Sequence, residues 1–302
     1  MKKRRLVTYI TNSILILILL ISNQIYSQNT LKKHFEQIAD TIKGTIGISV
    51  LHIKKGSSIS FNGNEKFPMQ SVYKFPIAMV MLHEIDKGNF SLEDSIVISK
   101  KEYIPKAGHS PIRETYPNGI KLTIKDILEY NVSKSDGTAC DVLLRLLGGA
   151  KKVEKRIHKL GVKNIAITTT EMVQVAYDTI QYQNWSTPRA MNKLLKVFYN
   201  GSYLSEKSQK ILLDFMSISN PWFDRRLKGL LPVNTPLVHK TGSARTYNGL
   251  TRATNDVGII TLPDNSHIAI SVFLSDSYDS QSKRELTIAK VARAAYDYYV
   301  IK

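Results

Sequence analysis

Strand-like segments lie at both ends of this chain, while its long middle is patterned as helices and loops. Two early segments are rich in β-branched residues and flank a Lys-Gly turn, and three late segments have the same character. These segments are residues 47–53 and 58–61, then 237–243, 256–262 and 267–275. A single sheet is the simplest way to bury both groups. The pattern therefore predicts an α+β fold, with a five-stranded antiparallel sheet backed by the terminal helix, beside a second lobe made from the helical middle.

The middle of the chain carries recognisable helix boundaries. Thr123 and Thr187 stand where N-caps are expected, and Pro188 occupies a first helical position. An amphipathic segment with a basic face ends the chain. The predicted domains are a sheet domain of residues 28–70 and 231–302 and an all-helical domain of residues 71–230, with a cleft between them.

Residues 1–27 have the layout of a secretory signal peptide. A basic start, Lys2–Arg5, precedes an apolar run, Ile14–Ile21, and small and polar residues follow. The run is well short of the roughly 20 residues that a membrane-spanning helix needs, which disfavours the alternative of an N-terminal anchor. We therefore predict cleavage near Ser27, export to the periplasm and no stable membrane insertion afterwards.

The charge balance and the cysteine count limit the possible partners and crosslinks. Loss of residues 1–27 removes four positive charges and no negative ones, so the formal net charge falls from +17 to +13. Such a surface attracts anionic lipids, cell-wall polymers or nucleic acid, or is merely a solvated lysine-rich surface. No compact basic run with interleaved aromatics occurs, so nucleic acid is not expected as a partner. The single cysteine, Cys140, excludes an internal disulfide and is expected to be a small buried residue in a helix.

The stretch FPMQSVYKFP, residues 67–76, places a lysine among apolar neighbours. Because Pro76 is tolerated only near a helix start, the helix should begin near Ser71, at the positive end of its dipole. Lys74, one turn further on, then lies on the same face as Ser71. Burial disfavours the charged form of a lysine, so we expect Lys74 to be able to take the proton of the weakly nucleophilic serine hydroxyl.

Two further motifs accompany this pair. SDG, residues 135–137, falls in a break between two helices, and HKTGS, residues 239–243, falls on a strand, where Gly242 is expected to let a ligand lie close to the backbone. S-x-x-K, S-D-N and K-T-G together are the signature of class A β-lactamases and penicillin-binding proteins. From about residue 32 onward the chain resembles a class A serine β-lactamase. This resemblance implies a five-stranded antiparallel sheet flanked by helices on both sides, plus an all-helical domain. The segments SPI, LKGLLP and TNDVG resemble the extended-spectrum, Bacteroidetes-associated branch.

This resemblance implies hydrolysis of the β-lactam ring of antibiotics, cephalosporins and penicillins, through an acyl-serine. It implies that Ser71 attacks the lactam carbonyl and that Ser135 relays a proton to the leaving nitrogen. Lys74 and Glu171, with a water, would share the role of acylation base. Glu171 lies on the segment that matches the Ω-loop and would drive water onto the acyl-serine, with a solvated loop carboxylate as the alternative.

The resemblance also implies a substrate-binding set. Lys240 and Thr241 would hold the substrate carboxylate, and the backbone N–H of Ser243, with that of the nucleophile, would form the oxyanion hole. Arg226 would supply further carboxylate-binding charge, because the strand position that usually carries an arginine is Gly249 here. Arginine is common on a basic surface, so four neighbours are expected to be ordinary surface residues: Arg225, Lys228, Arg245 and Arg252.

Four positions depart from the family pattern. Gly137 replaces the asparagine that normally contacts the substrate's amide arm, and Val175 replaces the asparagine that holds the hydrolytic water. Asp141 replaces an asparagine bonded to the loop glutamate, so either two carboxylates share a proton or the loop takes another path, and a capping box with Thr138 is a further interpretation. His109 stands where relatives carry an aromatic, either to stack on the ligand or as an exposed polar residue.

Three functions remain open at this point. The first is a hydrolytic β-lactamase, a monomer without cofactor or metal whose partner is the small-molecule β-lactam. The second is a penicillin-binding transpeptidase or carboxypeptidase, or a β-lactam sensor, with slow deacylation, which Gly137 and Val175 keep open. The third is a basic surface-binding protein with a decayed site.

Overall fold

The computed structural model describes residues 29–218 and 224–300, so the predicted signal peptide and its cleavage near Ser27 lie outside the described residues. Helices occupy α1 (29–39), α2 (Lys74–Asp86), α3 (Pro111–Thr115), α4 (Ile124–Val132), α5 (Gly137–Leu146), α6 (Ala150–Lys159), α7 (Glu171–Ala176), α8 (Pro188–Tyr199), α9 (Glu206–Ser217) and α10 (Gln281–Val300). Strands occupy β1 (Thr45–His52), β2 (Ser58–Phe61), β3 (Phe67–Pro68), β4 (Ser95–Ile98), β5 (Ile120–Thr123), β6 (Ile165–Ala166), β7 (Trp185–Ser186), β8 (Leu237–Ser243), β9 (Thr246–Tyr247), β10 (Leu250–Thr251), β11 (Thr254–Thr261) and β12 (His267–Ser275).

The predicted five-stranded sheet is confirmed, with all neighbours antiparallel in the order β2-β1-β12-β11-β8. Successive side chains of a strand point to opposite faces, and β12 uses both. Ile270 and Val272 join the core formed with α1 and α10, while Ala269 and Phe273 join the core formed with the central helices. Helices therefore cover both faces of the sheet.

The middle of the chain folds around α2, whose residues from Phe75 to Leu82 are all fully buried. The predicted caps are confirmed, because the Thr123 hydroxyl accepts from the N–H of Asp126 and the Thr187 hydroxyl accepts from the N–H of Ala190. The expectation of an all-helical middle missed short strands there. They are the pair β4-β5, and β6 and β7, which form a ribbon with the preceding β3 in the order β3-β7-β6. Strands of two to four residues leave too little periodicity to be read from sequence.

Cys140 is buried and unpaired in α5, as predicted. Within residues 29–218 and 224–300, no helix has both the length and the apolar character needed to cross a lipid bilayer.

Candidate active site

The predicted serine–lysine pair lies at the junction of a short turn and the buried central helix. Ser71 belongs to a 3-10 turn, Gln70–Tyr73, and the α-helix begins at Lys74, three residues later than expected. Pro76 is thus the third residue of α2, where its missing N–H costs no intrahelical bond. The turn brings the Lys74 ammonium to 2.7 Å from the Ser71 hydroxyl oxygen, to which it donates.

Lys74 is also paired with the predicted loop glutamate. Its ammonium donates to Oε1 of Glu171, the first residue of α7, and both residues are buried. Burial acts to lower the pKa of Lys74, but the adjacent Glu171 carboxylate outweighs it, so the pKa of Lys74 is raised. The expectation that burial would favour a neutral Lys74 is therefore wrong for the resting site, because it left out the carboxylate.

Ser135 and Lys240 form a second hydroxyl–ammonium pair. Ser135 adopts a left-handed backbone, φ +55°, in the break between α4 and α5, and its hydroxyl accepts from the Lys240 ammonium at 2.9 Å. The neighbouring Asp136 fixes this break, because its carboxylate accepts from the N–H of Ile112 and of Ala139. Burial, and then the charge of Lys74, lower the pKa of Lys240 to about 7. The site therefore holds two buried lysines whose pKa values are shifted in opposite directions, up for Lys74 and down for Lys240.

Gly242 packs against protein rather than leaving space for a ligand, which corrects the expectation above. A Cβ at this position would clash with the carbonyl oxygen of Met69 and would lie 3.2 Å from the N–H nitrogen of Ser71. The glycine therefore allows β8 to pack directly on the turn that carries Ser71. This contact sets the N–H of Ser71 next to the strand that ends at Ser243.

Arg226 lies behind β8 and is almost fully buried. Its guanidinium donates to the Ser243 hydroxyl at 2.7 Å and to the carbonyl oxygens of Gly242 and Asn255, and it lies 3.6 Å from the Glu285 carboxylate. Arg226 is therefore connected to the cavity through the Ser243 hydroxyl, which borders it. The sequence had instead predicted direct contact between Arg226 and a ligand carboxylate. The predicted strand position, Gly249, has φ +77° and lies in the turn between β9 and β10.

The Asp141 carboxylate binds the backbone of the loop that carries Glu171. It accepts from the N–H of Glu171 at 2.7 Å and of Met172 at 2.8 Å, while the Glu171 carboxylate is occupied by Lys74. The two carboxylates therefore have separate partners and do not bond each other. The capping box with Thr138 is wrong, since Asp136 caps α5.

Replacement of Asp141 with asparagine should reduce the pH dependence of stability. Burial raises the pKa of Asp141 from 3.8 to about 7. At pH values between these two, the folded protein therefore binds a proton on Asp141 that the unfolded chain does not bind. The free energy of unfolding contributed by this group therefore falls as the pH rises through that range. Between pH 5 and pH 8 the fall should be smaller in the variant by about 2 kcal/mol, measured by urea unfolding.

The exposed residue Asp40 provides the control for this comparison. Asp40→Asn should leave the difference between pH 5 and pH 8 as in the parent. An equal pH dependence in Asp141→Asn and the parent would contradict a titrating Asp141.

An open cavity of about 680 Å³ brings the predicted residues together. Ser71, Lys74, Ser135, Glu171 and Ser243 line it. His109 and Val175 also line it. The remaining predicted residues are buried and are not among its lining residues: Gly137, Arg226, Lys240, Thr241 and Gly242. The His109 ring both borders the cavity and bonds the carbonyl oxygen of Lys134 at 2.9 Å, so the two interpretations of this residue are compatible.

Several lining residues were missed by the sequence reasoning. The Gln70 amide donates to Gln181 at 2.5 Å and ties the residue before Ser71 to the segment after α7. Arg245, which was expected to be an ordinary surface arginine, borders the cavity together with Tyr247. The left-handed backbone of Gln70, φ +48°, and the turn after β8 create these positions, and neither leaves a periodic signal in the sequence.

The fold and this site together define a serine acyl-transfer enzyme: a serine hydrogen-bonded to a buried lysine, a glutamate on that lysine, and a second serine–lysine pair across the cavity. A family model described as "Beta-lactamase enzyme family" matches residues 30–299. The chain belongs to that family.

Individual relatives agree with this assignment. β-Lactamase VEB-1 of Pseudomonas aeruginosa is 40% identical, over 96% of this chain and 98% of its own. The solved TLA-1 extended-spectrum β-lactamase is 42% identical with a TM-score of 0.88, over 91% of this chain and 99% of its own. A class A β-lactamase structure from Bacteroides cellulosilyticus is 27% identical with a TM-score of 0.85, over 91% of this chain and 99% of its own. The resemblance to class A β-lactamases is confirmed.

Proposed function

We propose that this enzyme opens the β-lactam ring of antibiotics through an acyl intermediate on Ser71 and then hydrolyses that intermediate, which confers resistance. The observation that carries the proposal is the position of the Lys74 ammonium, which is bonded both to the Ser71 hydroxyl, at 2.7 Å, and to the Glu171 carboxylate. Ser71 can act as the nucleophile, Lys74 can accept its proton, and Glu171 can in turn accept a proton from Lys74. Two hydrogen bonds link these three side chains.

Acylation uses this contact to remove the serine proton. Lys74 passes a proton to Glu171 and takes the one that Ser71 loses as its oxygen attacks the lactam carbonyl. The carbonyl oxygen becomes negative and is stabilised by the backbone N–H groups of Ser71 and Ser243. The C–N bond then breaks, and the proton held by the Lys74–Glu171 pair reaches the lactam nitrogen through the hydroxyl of Ser135.

The substrate carboxylate binds on the β8 side of the cavity. Lys240 holds it by charge and orients Ser135, to which it donates at 2.9 Å, and Thr241 adds a hydroxyl. Arg226 supports this end of the site through the Ser243 hydroxyl. Buried charge is effective here because little water screens it.

Deacylation depends on Glu171. Its carboxylate takes a proton from a water that attacks the acyl carbonyl, and Ser71 leaves with a proton returned through Lys74. Val175 lines the cavity with an apolar side chain and cannot hold that water, which is the observation that favours the second candidate, a penicillin-binding enzyme or sensor that releases its acyl group slowly.

The substrates are cephalosporins and penicillins. A cavity of about 680 Å³ accommodates a molecule of that size, and one relative in the comparisons above is described as extended-spectrum. We further propose that the protein is exported to the periplasm after cleavage near Ser27 and acts there as a monomer.

Purified mature protein mixed with a chromogenic cephalosporin tests the reaction. We expect many equivalents of product per enzyme, followed as absorbance, and none from Ser71→Ala. One equivalent of product would instead favour the slowly deacylating candidate, and no product from the parent would contradict both.

A further inference from the structure

Gly108, which lines the active-site cavity, and the buried Gly137 both lie against the same methyl group. A Cβ on Gly137 would clash with the terminal methyl, Cδ1, of Ile104. A Cβ on Gly108 would lie 2.6 Å from that same methyl group. Real Cβ atoms do not approach other carbons this closely, so Ile104 and the two glycines depend on one another.

Ile104 is held firmly in this position. Its side chain is 1% exposed, its N–H donates to the Thr138 hydroxyl at 3.3 Å, and its carbonyl accepts from Arg113 at 2.9 Å. The backbone is thus fixed on both sides of the side chain. A new side chain at 137 must therefore displace the methyl group within a packed interior rather than push aside a mobile surface group.

The space next to this methyl borders the catalytic machinery. A Cβ on Gly137 would lie 3.4 Å from Cβ of Glu171, and a Cβ on Gly108 would lie 2.7 Å from a methyl of Val175. A side chain at position 137 would therefore lie between the Ile104 methyl group and Glu171, the first residue of α7. The contact couples the loop before His109, the start of α5 and the start of α7.

We propose that Ile104, which lies outside the catalytic and binding residues, limits which side chains position 137 can carry and thereby how the substrate's amide arm is held. It fills the space next to Gly137, so this enzyme binds the substrate's amide arm without the asparagine amide that the family resemblance places there. The absence of that amide is thus imposed by a buried methyl group outside the motif. This inference rests on the proposed β-lactam hydrolysis.

A double-mutant cycle on hydrolysis tests the inference. Ile104→Val removes only Cδ1 and should keep kcat/KM within about twofold of the parent. Gly137→Asn alone should lower kcat/KM at least about tenfold, since the clash shifts Glu171 and the loop. The pair Ile104→Val/Gly137→Asn should recover at least about tenfold over Gly137→Asn, because the space is then available.

A substrate comparison separates affinity from general damage to the fold. Recovery in the double variant should appear as a lower KM for a cephalosporin with an acylamido arm. The lowered KM should be absent with 7-aminocephalosporanic acid, which has no such arm for the new amide to contact. Gly88→Asn, at a position with nothing within 4 Å of its Cβ, should behave the same with and without Ile104→Val.

Additive effects of Ile104→Val and Gly137→Asn, or full activity of Gly137→Asn alone, would overturn the inference. If Gly137→Asn fails to fold, the cycle is run with Gly137→Ala, whose single methyl meets the same clash, and additivity again overturns it. Absence of turnover by the parent would instead refute the proposed function, so the two failures are distinguishable.

Discussion

Replacement of Glu171 with glutamine should trap the enzyme as its acyl-serine. Glutamine keeps the shape of the side chain but cannot take a proton from water, so deacylation should slow by about 10²–10⁴-fold. Acylation should persist, because the carboxylate that raises the pKa of Lys74 is gone and burial then favours a neutral lysine that accepts the serine proton. Stopped-flow absorbance with a chromogenic cephalosporin should show a burst of one equivalent and then little turnover.

The control for this variant is Glu36→Gln, a partly exposed glutamate in α1 beyond the opposite face of the sheet. It should turn over as the parent does. A Glu171→Gln enzyme with unchanged steady-state turnover would show that another group activates the water.

Replacement of Lys240 with alanine should lower kcat/KM by about 10²-fold or more, mainly through KM. The side chain is 2% exposed and supplies the proposed charge for the substrate carboxylate, and loss of one partner of a buried charged pair costs about 2–5 kcal/mol. The pKa of Lys240 is lowered to about 7, so the ammonium form is populated below that pH and lost above it. In the parent, kcat/KM for an anionic β-lactam should therefore fall as the pH rises above about 7.

The pH profile separates this role from simple loss of structure. Lys240→Ala should lack the alkaline fall in kcat/KM while keeping a cooperative unfolding transition. Lys210→Ala removes an equal charge from an exposed position on α9 and should leave the profile unchanged. A Lys240→Ala profile that keeps the parent's alkaline fall would contradict the assignment.

Features that depend on local sequence were predicted well. The strands at both ends, the capped helices and the three motif segments each rest on periodicity or on residues close together in sequence. The resemblance then indicated that Ser71, Ser135, Glu171 and Ser243 share a site, and the structure places all four on one cavity.

What escaped prediction depends on contacts between distant residues. The raised pKa of Lys74 requires a carboxylate 97 positions away, and the environment of Asp141 requires backbone groups 30 positions away. Gly242 was expected to serve a ligand, but it allows a turn to pack on β8, which sequence spacing does not reveal. Burial and charges from distant residues set these properties, and neither can be read from the spacing of residues along the sequence.

Intact-protein mass spectrometry with peptide mapping tests the central claim most directly. Parent and Glu171→Gln enzymes are mixed with a cephalosporin and sampled from seconds to hours. We predict one acyl adduct per chain on Ser71 that persists in Glu171→Gln and disappears in the parent as substrate is consumed. No adduct, an adduct on another residue, or equal lifetimes in the two proteins would contradict the account.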